Sequence, residues 1–335
     1  MEPGDLIIYT LPGLEEYLKY ECIKSELNVK SVNPLGIGGR VLISRGYDPA
    51  KILSLRTAEN GLEVIGLEYL ALIDARNIRL AIRRILRGMK KGECQYSIKT
   101  GMYGRCFSHI HLTRIFAREF ERVFKKKPLE SAANVLKLEL YCRDKIVVVG
   151  RLLSNKPLHK RPYFKMLHPA SLNPLIASAI AIEAKRRGLK LLYDPMCGCG
   201  TIPIEYLLTC RGEAYASDIV MKHVKATGIN ALSAGVDDRC HPFCSDISLP
   251  ALASQVDILA ANPPRGRRMR ADVKAVYRKL HKLALKMISK DGLFCIVTPY
   301  KFTVARVFSR FSLEKEVRVL KGNLKLYLMI LTPSR

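Results

Sequence analysis

The pattern of hydrophobic and polar positions differs between the two halves of the chain. Beyond about residue 170, short apolar runs alternate with longer amphipathic segments, a pattern typical of a parallel sheet with helices on both faces. Two last apolar runs flank Gly322-Asn323 and predict an antiparallel hairpin at or near the sheet edge. The fold class is therefore α/β, a doubly wound sheet closed by a hairpin. Strands are expected at 189–194, 213–218, 240–245, 256–261, 292–298, 316–321 and 325–332, and helices at 201–210, 221–234 and 272–289.

The first half of the chain has the pattern of small α+β units. A turn is expected at 101–105, where glycines flank Met102-Tyr103. A length of 335 residues suits two or three globular units. Strands are expected at 5–10, 29–33, 40–44, 95–99, 136–142 and 145–152, and helices at 12–25, 49–56, 75–89 and 108–125. The predicted domains are 1–60, 61–155 and 170–335, with a basic, proline-containing linker at 156–169.

Positive charge is concentrated after the first of these units. The chain has 56 Lys+Arg against 30 Asp+Glu, a formal charge of +26, which is typical of a protein that binds a polyanion. Residues 1–50 contain 5 Lys+Arg and 7 Asp+Glu, whereas residues 51–165 contain 25 and 10. Nucleic acid is the expected partner. A membrane surface is not expected, because no long amphipathic segment with bulky apolar anchors is present in the sequence.

The N-terminal segment and the cysteines favour an intracellular protein. MEPGDLIIYTLPG lacks the basic start and long apolar stretch of a secretory signal, and the sequence has no apolar run of about eighteen residues. The 10 cysteines include no C-x-x-C pair, so we expect reduced thiols packed as small hydrophobic side chains and no metal site. A cytoplasmic monomer is expected.

An acidic residue and two glycines follow the predicted strand 189–194. In a doubly wound sheet, ligands bind at the carboxyl ends of the strands. Gly198 and Gly200 permit positive φ and close approach of the backbone, and Thr201 begins the next helix with free N–H groups. The spacing differs from the G-x-G-x-x-G of dinucleotide enzymes, and the leading Asp194 suits an amino-bearing ligand better than a phosphate.

Two more acids end the strands that follow. Asp218 lies 24 residues after Asp194, where a carboxylate can accept two ribose hydroxyls, and Asp246 can accept an adenine exocyclic amine. This Rossmann-like architecture with a closing hairpin is that of S-adenosylmethionine-dependent methyltransferases, so S-adenosyl-L-methionine is the expected cofactor. Alternatively, the three carboxylates only cap helices. The predicted cofactor contacts are Asp194, Pro195, Gly198, Gly200, Thr201, Asp218, Ile219, Asp246, Ile247 and Asn262.

A second motif, Asn262-Pro263-Pro264-Arg265, follows the predicted strand 256–261. Methyl transfer to an exocyclic amine on a base is slow because the lone pair of the nitrogen is delocalised into the ring. The Asn262 side-chain oxygen and the Pro263 carbonyl can accept both N–H bonds and so direct the lone pair at the methyl group. The two prolines fix the carbonyl directions and remove competing donors. Asn262, Pro263 and Arg265 are therefore the predicted catalytic residues.

These motifs resemble those of a known family. D-P-M-C-G-C-G-T-I-P-I-E at 194–205 with N-P-P-R-G at 262–266 is similar to the amino-methyltransferases of nucleic acids. LHKRPYFKMLHPASLNPLIASAI at 158–180 and Y-T-L-P-G-L-E-E at 9–16 resemble THUMP-containing RNA guanine-N2 methyltransferases. The resemblance implies a ferredoxin-like domain at 1–60, a THUMP domain at 61–155 and a substrate in the acceptor arm of tRNA. It also implies cofactor contact near Ser171 and Leu172.

One position departs from the pattern of that family, which usually has an aromatic residue after the double proline. This chain has Arg265, whose guanidinium plane can also stack on a base and contact phosphate. The departure leaves open a non-catalytic or altered-specificity RNA-binding protein that has kept the fold. A third interpretation, an adenine-N6 DNA methyltransferase, shares N-P-P. The basic residues predicted to contact tRNA are Arg83, Arg84, Arg105, Arg114, Lys160, Arg161, Arg267, Arg268 and Arg270.

Overall fold

The chain folds into two compact α/β units in a computed structural model that describes residues 1–89, 95–168, 170–249, 252, 254–264 and 273–334. One unit consists of Met1–Thr10 with Leu18–Leu158, and the other of Leu11–Tyr17 with His159–Arg335. Within the described residues, each unit is built on one seven-stranded sheet with its own hydrophobic core.

The first unit contains a mostly antiparallel sheet in the order β2-β3-β1-β4-β7-β6-β5, in which only β5 and β6 pair in parallel among the described strands. Its strands are β1 Leu6–Tyr9, β2 Val29–Val32, β3 Arg40–Ile43, β4 Asn60–Tyr69, β5 Tyr96–Tyr103, β6 Asn134–Tyr141 and β7 Ile146–Leu152. Its helices are α1 Glu15–Lys24, α2 Pro49–Ser54, α3 Ala75–Arg87 and α4 His109–Phe124. Because β1 pairs with β4, the strands of the first 60 residues and the later strands belong to one sheet.

Two features of this sheet differ from the prediction. The sequence analysis missed β4, whose register shifts between Val64 and Gly66, so that its apolar positions do not alternate regularly. The turn predicted at 101–105 is wrong, because Gly101, Met102 and Tyr103 continue β5 and pair with β6. Glycine inside a strand is a weak sign of a turn when the neighbouring strand supplies hydrogen bonds.

Helices α3 and α4 form where the apolar spacing predicted them. Asp74 and Ser108 cap their first turns by accepting hydrogen bonds from the backbone N–H groups of Asn77 and His111. One face of each helix carries the buried apolar side chains that pack on the sheet, and the other faces carry arginines. The buried side chains include Ile78, Ile82 and Leu86 of α3 and Leu112, Phe116 and Phe120 of α4.

The second unit contains the predicted doubly wound sheet, in the order β10-β9-β8-β11-β12-β14-β13. Strands β8 to β12 pair in parallel, and the hairpin of β13 and β14 joins β12 antiparallel, as the sequence predicted. Its strands are β8 Leu191–Asp194, β9 Glu213–Asp218, β10 Cys240–Cys244, β11 Val256–Ala261, β12 Ile288–Thr298, β13 Phe311–Lys321 and β14 Leu324–Pro333. Its helices are α5 Pro174–Arg186, α6 Thr201–Thr209, α7 Met221–Ala234, α8 Val273–Met287 and α9 Lys301–Val307.

The sequence analysis missed two helices of the second unit. Helix α5 is buried from Pro174 to Ala184, so apolar residues occupy all of its faces and give no helical periodicity. Helix α9 has only 7 residues, too few for a periodic pattern. Of the helices that the structure describes, none has both the length and the apolar composition needed to cross a bilayer.

One expectation about the cysteines is wrong. Cys106 and Cys142 form a disulfide with their Cα atoms 5.6 Å apart, although they are separated by 36 positions in the sequence. The parallel register sets Tyr103 of β5 beside Tyr141 of β6, and this brings the residues after both strands together. The remaining described cysteines are free thiols, namely Cys22, Cys197, Cys199, Cys210, Cys240, Cys244 and Cys295.

Candidate active site

Neighbouring strands of the second sheet deliver polar side chains to one edge. β8 ends at Asp194 and β9 ends at Asp218, while Asn262 directly follows β11. Asp246 lies two residues beyond the end of β10. Since these strands are parallel neighbours in the order β10-β9-β8-β11, the four predicted residues lie side by side along the carboxyl edge of the sheet.

The glycine loop between β8 and α6 is held by Asp218. The Asp218 carboxylate accepts a hydrogen bond from the Gly198 N–H at 3.0 Å. Gly198 and Gly200 have positive φ angles of 55° and 80°, which residues with a side chain rarely adopt. A Cβ at Gly200 would lie 2.8 Å from the Thr227 side chain, whereas a Cβ at Gly198 would have no described heavy atom within 4 Å. The loop can therefore present bare backbone to a ligand at Gly198.

Asp194 is a buried carboxyl at the head of this loop. Its Oδ1 accepts a hydrogen bond from the Met196 N–H at 3.0 Å. Burial, with a smaller contribution from the negative charge of Asp218, raises the pKa of Asp194 to about 8. The adjacent Pro195 and Thr201 are buried, and Thr201 begins α6. Near neutral pH the Asp194 carboxyl is therefore mostly protonated, and a cation bound beside it would lower its pKa and favour the ionised form.

The other two strand-end carboxylates are partly exposed. Asp218 also accepts a hydrogen bond from the Val220 N–H at 3.0 Å and lies 3.2 Å from His223 Nδ1. Asp246 accepts the Ser248 N–H at 2.7 Å, a bond that holds the pKa of Asp246 below its usual range. After these acids come two apolar side chains: Ile219 is 65% exposed and Ile247 is partly buried.

The Asn262 side chain has one end occupied and one end free. Its Nδ2 donates to the Ala170 carbonyl at 3.4 Å. Its Oδ1 is buried and, among the described residues, has no hydrogen-bond partner. A buried unpaired acceptor costs about 1–3 kcal/mol, so it points to a donor supplied by a ligand. Pro263 is buried beside it, and Leu172 is buried on the segment that includes Ala170.

The sequence analysis missed the residue that anchors this site. Asn230 of α7 is fully buried and donates to the carbonyls of Cys199 and Met166, at 3.0 and 2.8 Å. Its Oδ1 accepts the N–H groups of Lys165 and Met166, both at 2.9 Å. Asn230 therefore ties the glycine loop to the segment before α5. A lone asparagine in a helix gives no sequence signal for this role.

Arg161 has a different role from the RNA contact that was predicted. It is buried, and its Nε donates to Glu205 Oε1 at 2.9 Å. The hydroxyls of Tyr163 and Ser178 donate to the same carboxylate at 2.8 and 2.7 Å. Glu205 is the only acid in the otherwise apolar or hydroxylic helix α6, and that lone acid is the sequence signal that was overlooked. The guanidinium of Arg161 is therefore committed to the interior.

The other predicted RNA contacts fall into three groups. Arg83 donates to the buried Glu119 at 2.8 Å, and Arg84 lies 3.4 Å from Glu68. Arg105, Arg114 and Lys160 are exposed. The predicted catalytic Arg265 and the predicted RNA contacts Arg267, Arg268 and Arg270 lie outside the described residues.

The order of the second sheet, parallel strands closed by an antiparallel hairpin, defines a Rossmann-like methyltransferase fold. Residues 161–329 match the family model of the RMKL-like methyltransferase domain, UPF0020, and the chain belongs to this family. The chain is also similar to the tRNA (guanine(6)-N2)-methyltransferase of Methanocaldococcus jannaschii, with 26% identity over 234 residues. That match covers 56% of this chain and 61% of the relative, so the chain spans about six-tenths of the relative's length.

Two solved structures share the fold over nearly the whole chain. TrmN from Thermus thermophilus has a TM-score of 0.84 and 22% identity, and the match covers 98% of this chain and 99% of TrmN. SMU.472, crystallised with SAH, has a TM-score of 0.79 and 17% identity over 100% of this chain and 99% of its own. The similarity of fold therefore includes the first unit as well as the methyltransferase unit.

Proposed function

We propose that this protein transfers a methyl group from S-adenosyl-L-methionine to the exocyclic N2 of a guanine in tRNA. The observation that carries the proposal is the buried Oδ1 of Asn262, directly after β11, which has no hydrogen-bond partner among the described residues and lies next to the strand that ends in Asp194. The family match supports methyl transfer, and the similarity to a tRNA guanine-N2 methyltransferase supports the base and the nucleic acid. An adenine-N6 DNA methyltransferase is less well supported by these relatives.

The carboxyl edge of the sheet fits the cofactor, which supplies an electrophilic methyl group when bound. In our proposal Asp194 receives the amino group, and Asp218 receives the ribose hydroxyls. The open space beside Gly198 admits the ligand against bare backbone. Ile219 and Ile247 supply apolar contacts to the adenine, and Asp246 accepts from its amine. Pro195, Gly200, Thr201 and Leu172 complete the proposed site.

The proposed catalytic work of the protein is positioning. Asn262 Oδ1 accepts one N–H of the guanine N2 amine, and the Pro263 carbonyl accepts the other. With the amine held in this way, its lone pair would be directed at the methyl group that the bound cofactor would supply, and one N–H proton of the amine would pass to solvent. Because Nδ2 of Asn262 is already engaged by Ala170, the amide oxygen is the end that faces the amine.

The decisive test is Asn262→Ala with radiolabelled cofactor and total tRNA. Loss of the amide acceptor is expected to reduce kcat about 10²–10³-fold, the usual cost of removing one preorganised hydrogen-bonding group from a transition state. The affinity for tRNA is expected to stay unchanged and the thermal stability to change little, because Oδ1 has no partner among the described residues and the bond from Nδ2 to Ala170 is long, at 3.4 Å. The matched control is Asn155→Ala, at an exposed asparagine.

Two results would contradict the proposal. Wild-type protein that binds the cofactor but methylates no RNA would indicate the alternative, an RNA-binding protein that has kept the fold. Full activity in Asn262→Ala would show that the Asn262 amide is not needed to position the amine. Methylation of DNA in preference to tRNA, in a competition at fixed salt, would identify the adenine-N6 alternative.

The partner and the setting of the reaction are also part of this proposal. We propose that residues 1–60 and 61–155 act as ferredoxin-like and THUMP domains and hold the acceptor arm of the tRNA. The excess of 25 Lys+Arg over 10 Asp+Glu in residues 51–165 supports nucleic-acid binding there. The proposed setting is the cytoplasm, with the protein acting as a monomer. Nucleoside analysis by mass spectrometry of tRNA from cells lacking the protein would identify the modified position.

A further inference from the structure

A basic groove lies in the first unit, whereas the candidate active site is built from residues of the second. It has a volume of about 750 Å³ and runs beside α3 and α4. A smaller cavity of about 400 Å³ shares Arg122 and Lys125 with it and adds Arg87. The cationic side chains and the imidazole that line the larger cavity are Arg79, His111, Arg114, Arg118, Arg122 and Lys125.

The basic side chains of α4 lie along one stripe of the helix. Arg114, Arg118 and Arg122 are spaced by four residues, so successive side chains lie about 6 Å apart along the axis, over a stripe of about 12 Å. All three are exposed. Like charges at this spacing repel one another and weaken an isolated helix by about 0.2–0.5 kcal/mol per pair. The stripe therefore opposes the stability of the helix that carries it.

Two acids line the groove, and the buried one, Glu119, is already engaged. Glu119 is buried and accepts from Arg83 Nε at 2.8 Å and from Arg83 Nη2 at 3.2 Å. It lies 3.9 Å from Arg122 as well. Among the described residues, no carboxylate lies within 4.0 Å of Arg114 or Arg118. Glu121 also lines the groove but forms no ion pair with another described residue.

Apolar side chains also line the groove. Phe107, Ile115 and Ala75 belong to the same lining as the cationic side chains. A lining that combines an aromatic ring and aliphatic groups with several cations suits a chain in which phosphates alternate with sugars and bases. A small inorganic anion would contact the cations and make no use of the apolar lining.

We propose that this groove binds the phosphodiester backbone of the RNA substrate, with Arg114 and Arg118 as its principal phosphate ligands. The assignment rests on the proposed function, because it takes RNA as the substrate. The proposed set of phosphate ligands leaves out Arg83, which the sequence analysis predicted to contact tRNA. Arg83 is held by Glu119 and serves to neutralise that acid, which leaves the charge of the α4 stripe available to phosphate.

The test is the salt dependence of tRNA binding, measured by fluorescence anisotropy without cofactor. Each lost phosphate contact lowers the slope of log affinity against log salt by about 0.7–0.9, and costs roughly fivefold in affinity at 0.15 M relative to 1 M salt. Arg114→Gln and Arg118→Gln are each expected to show this loss. The double variant is expected to lose about twice the slope. Arg118→Lys, which keeps the charge, is expected to keep the slope.

The matched control is Arg76→Gln. Arg76 is an exposed arginine of α3 that does not line either cavity, so the same change of charge there tests for a general effect of net charge. Equal losses in Arg76→Gln and Arg118→Gln would overturn the proposal. So would unchanged slopes in the groove variants, whether or not methylation is normal. Circular dichroism melts confirm that each variant is folded.

A second arm distinguishes RNA from a small anion. Inorganic pyrophosphate is titrated into the wild type and into the Arg114→Gln, Arg118→Gln double variant by calorimetry. Binding at micromolar concentration that the double variant loses, with unchanged RNA slopes, would assign the groove to a free anion and overturn the proposal. RNA binding that depends on the groove, in a protein that methylates nothing, would support the groove and contradict the proposed function instead.

Discussion

Two polar clusters of this protein use similar groups to different ends. In the first unit, the buried Glu139 of β6 is bound by the Lys137 ammonium at 2.8 Å and by Arg40. Three tyrosine hydroxyls also donate to it, those of Tyr9, Tyr103 and Tyr141. In the second unit, the buried Oδ1 of Asn262 has no hydrogen-bond partner among the described residues, and the buried carboxyl of Asp194 forms no ion pair with a described cation.

The difference between the two clusters separates polar groups whose partners are supplied by the protein from groups that we propose to bind a ligand. Burial alone would raise the pKa of Glu139, but Lys137 and Arg40 outweigh it and hold that pKa below its usual range. For Asp194, burial outweighs the hydrogen bond from the Met196 N–H, and the pKa rises to about 8. A satisfied cluster stabilises the fold, whereas an unsatisfied one stores free energy that binding can release.

The largest effect is expected from Glu139→Ala. Removing this carboxylate leaves the Arg40 guanidinium buried without its counter-charge, which should lower the free energy of unfolding by about 3–5 kcal/mol. Urea unfolding followed by circular dichroism measures the change. The control is Glu68→Ala, since its partner Arg84 is 69% exposed and the pair should contribute about 0–1 kcal/mol. Equal losses in both variants would show that the satisfied cluster has no special stability.

A smaller effect is expected from Asn230→Ala. This variant tests whether the fully hydrogen-bonded side chain of Asn230 holds the glycine loop of the candidate active site in place. Four backbone groups lose their hydrogen-bond partner, among them the buried carbonyl of Cys199, and the free energy of unfolding should fall by about 1–3 kcal/mol. Cofactor affinity, measured by calorimetry, should fall as well because the carbonyl of Cys199 in the glycine loop loses its donor. Lower stability with unchanged cofactor affinity would show that the loop holds its shape without Asn230.

The smallest effect concerns pH. An ammonium group binds the ionised form of Asp194, so cofactor binding should release a proton at pH values below about 8. Affinity should rise with pH from about 6 to 8, by at most tenfold per pH unit, and Asp194→Asn should abolish this rise. Calorimetry in two buffers with different ionisation enthalpies measures the proton release.

Asp246→Asn is the matched control for the pH experiment. The pKa of Asp246 lies below its usual range, so this carboxylate is ionised throughout the window. The variant should change the affinity and leave its pH dependence intact. A pH dependence that survives in Asp194→Asn would place the titrating group elsewhere.

Much of the second unit could be predicted from local sequence. Its parallel strands alternate with amphipathic helices, and the Gly322-Asn323 turn marks the closing hairpin. The helix α5 could not be predicted, because apolar residues on every face remove the periodic signal. In the first unit, β4 was not predicted, because the register shift between Val64 and Gly66 interrupts the alternation of apolar and polar positions along the strand.

The sequence by itself determined the order of the elements and the two motifs at the strand ends, because a loop and the strand that delivers it are neighbours in the chain. Only the tertiary structure decided which charged groups are free. Arg161 meets Glu205 44 positions away, and Arg83 meets Glu119 36 positions away, while Arg118 meets no described acid. Hydrogen bonding and burial depend on distance in space, and local sequence patterns carry no information about partners so far along the chain.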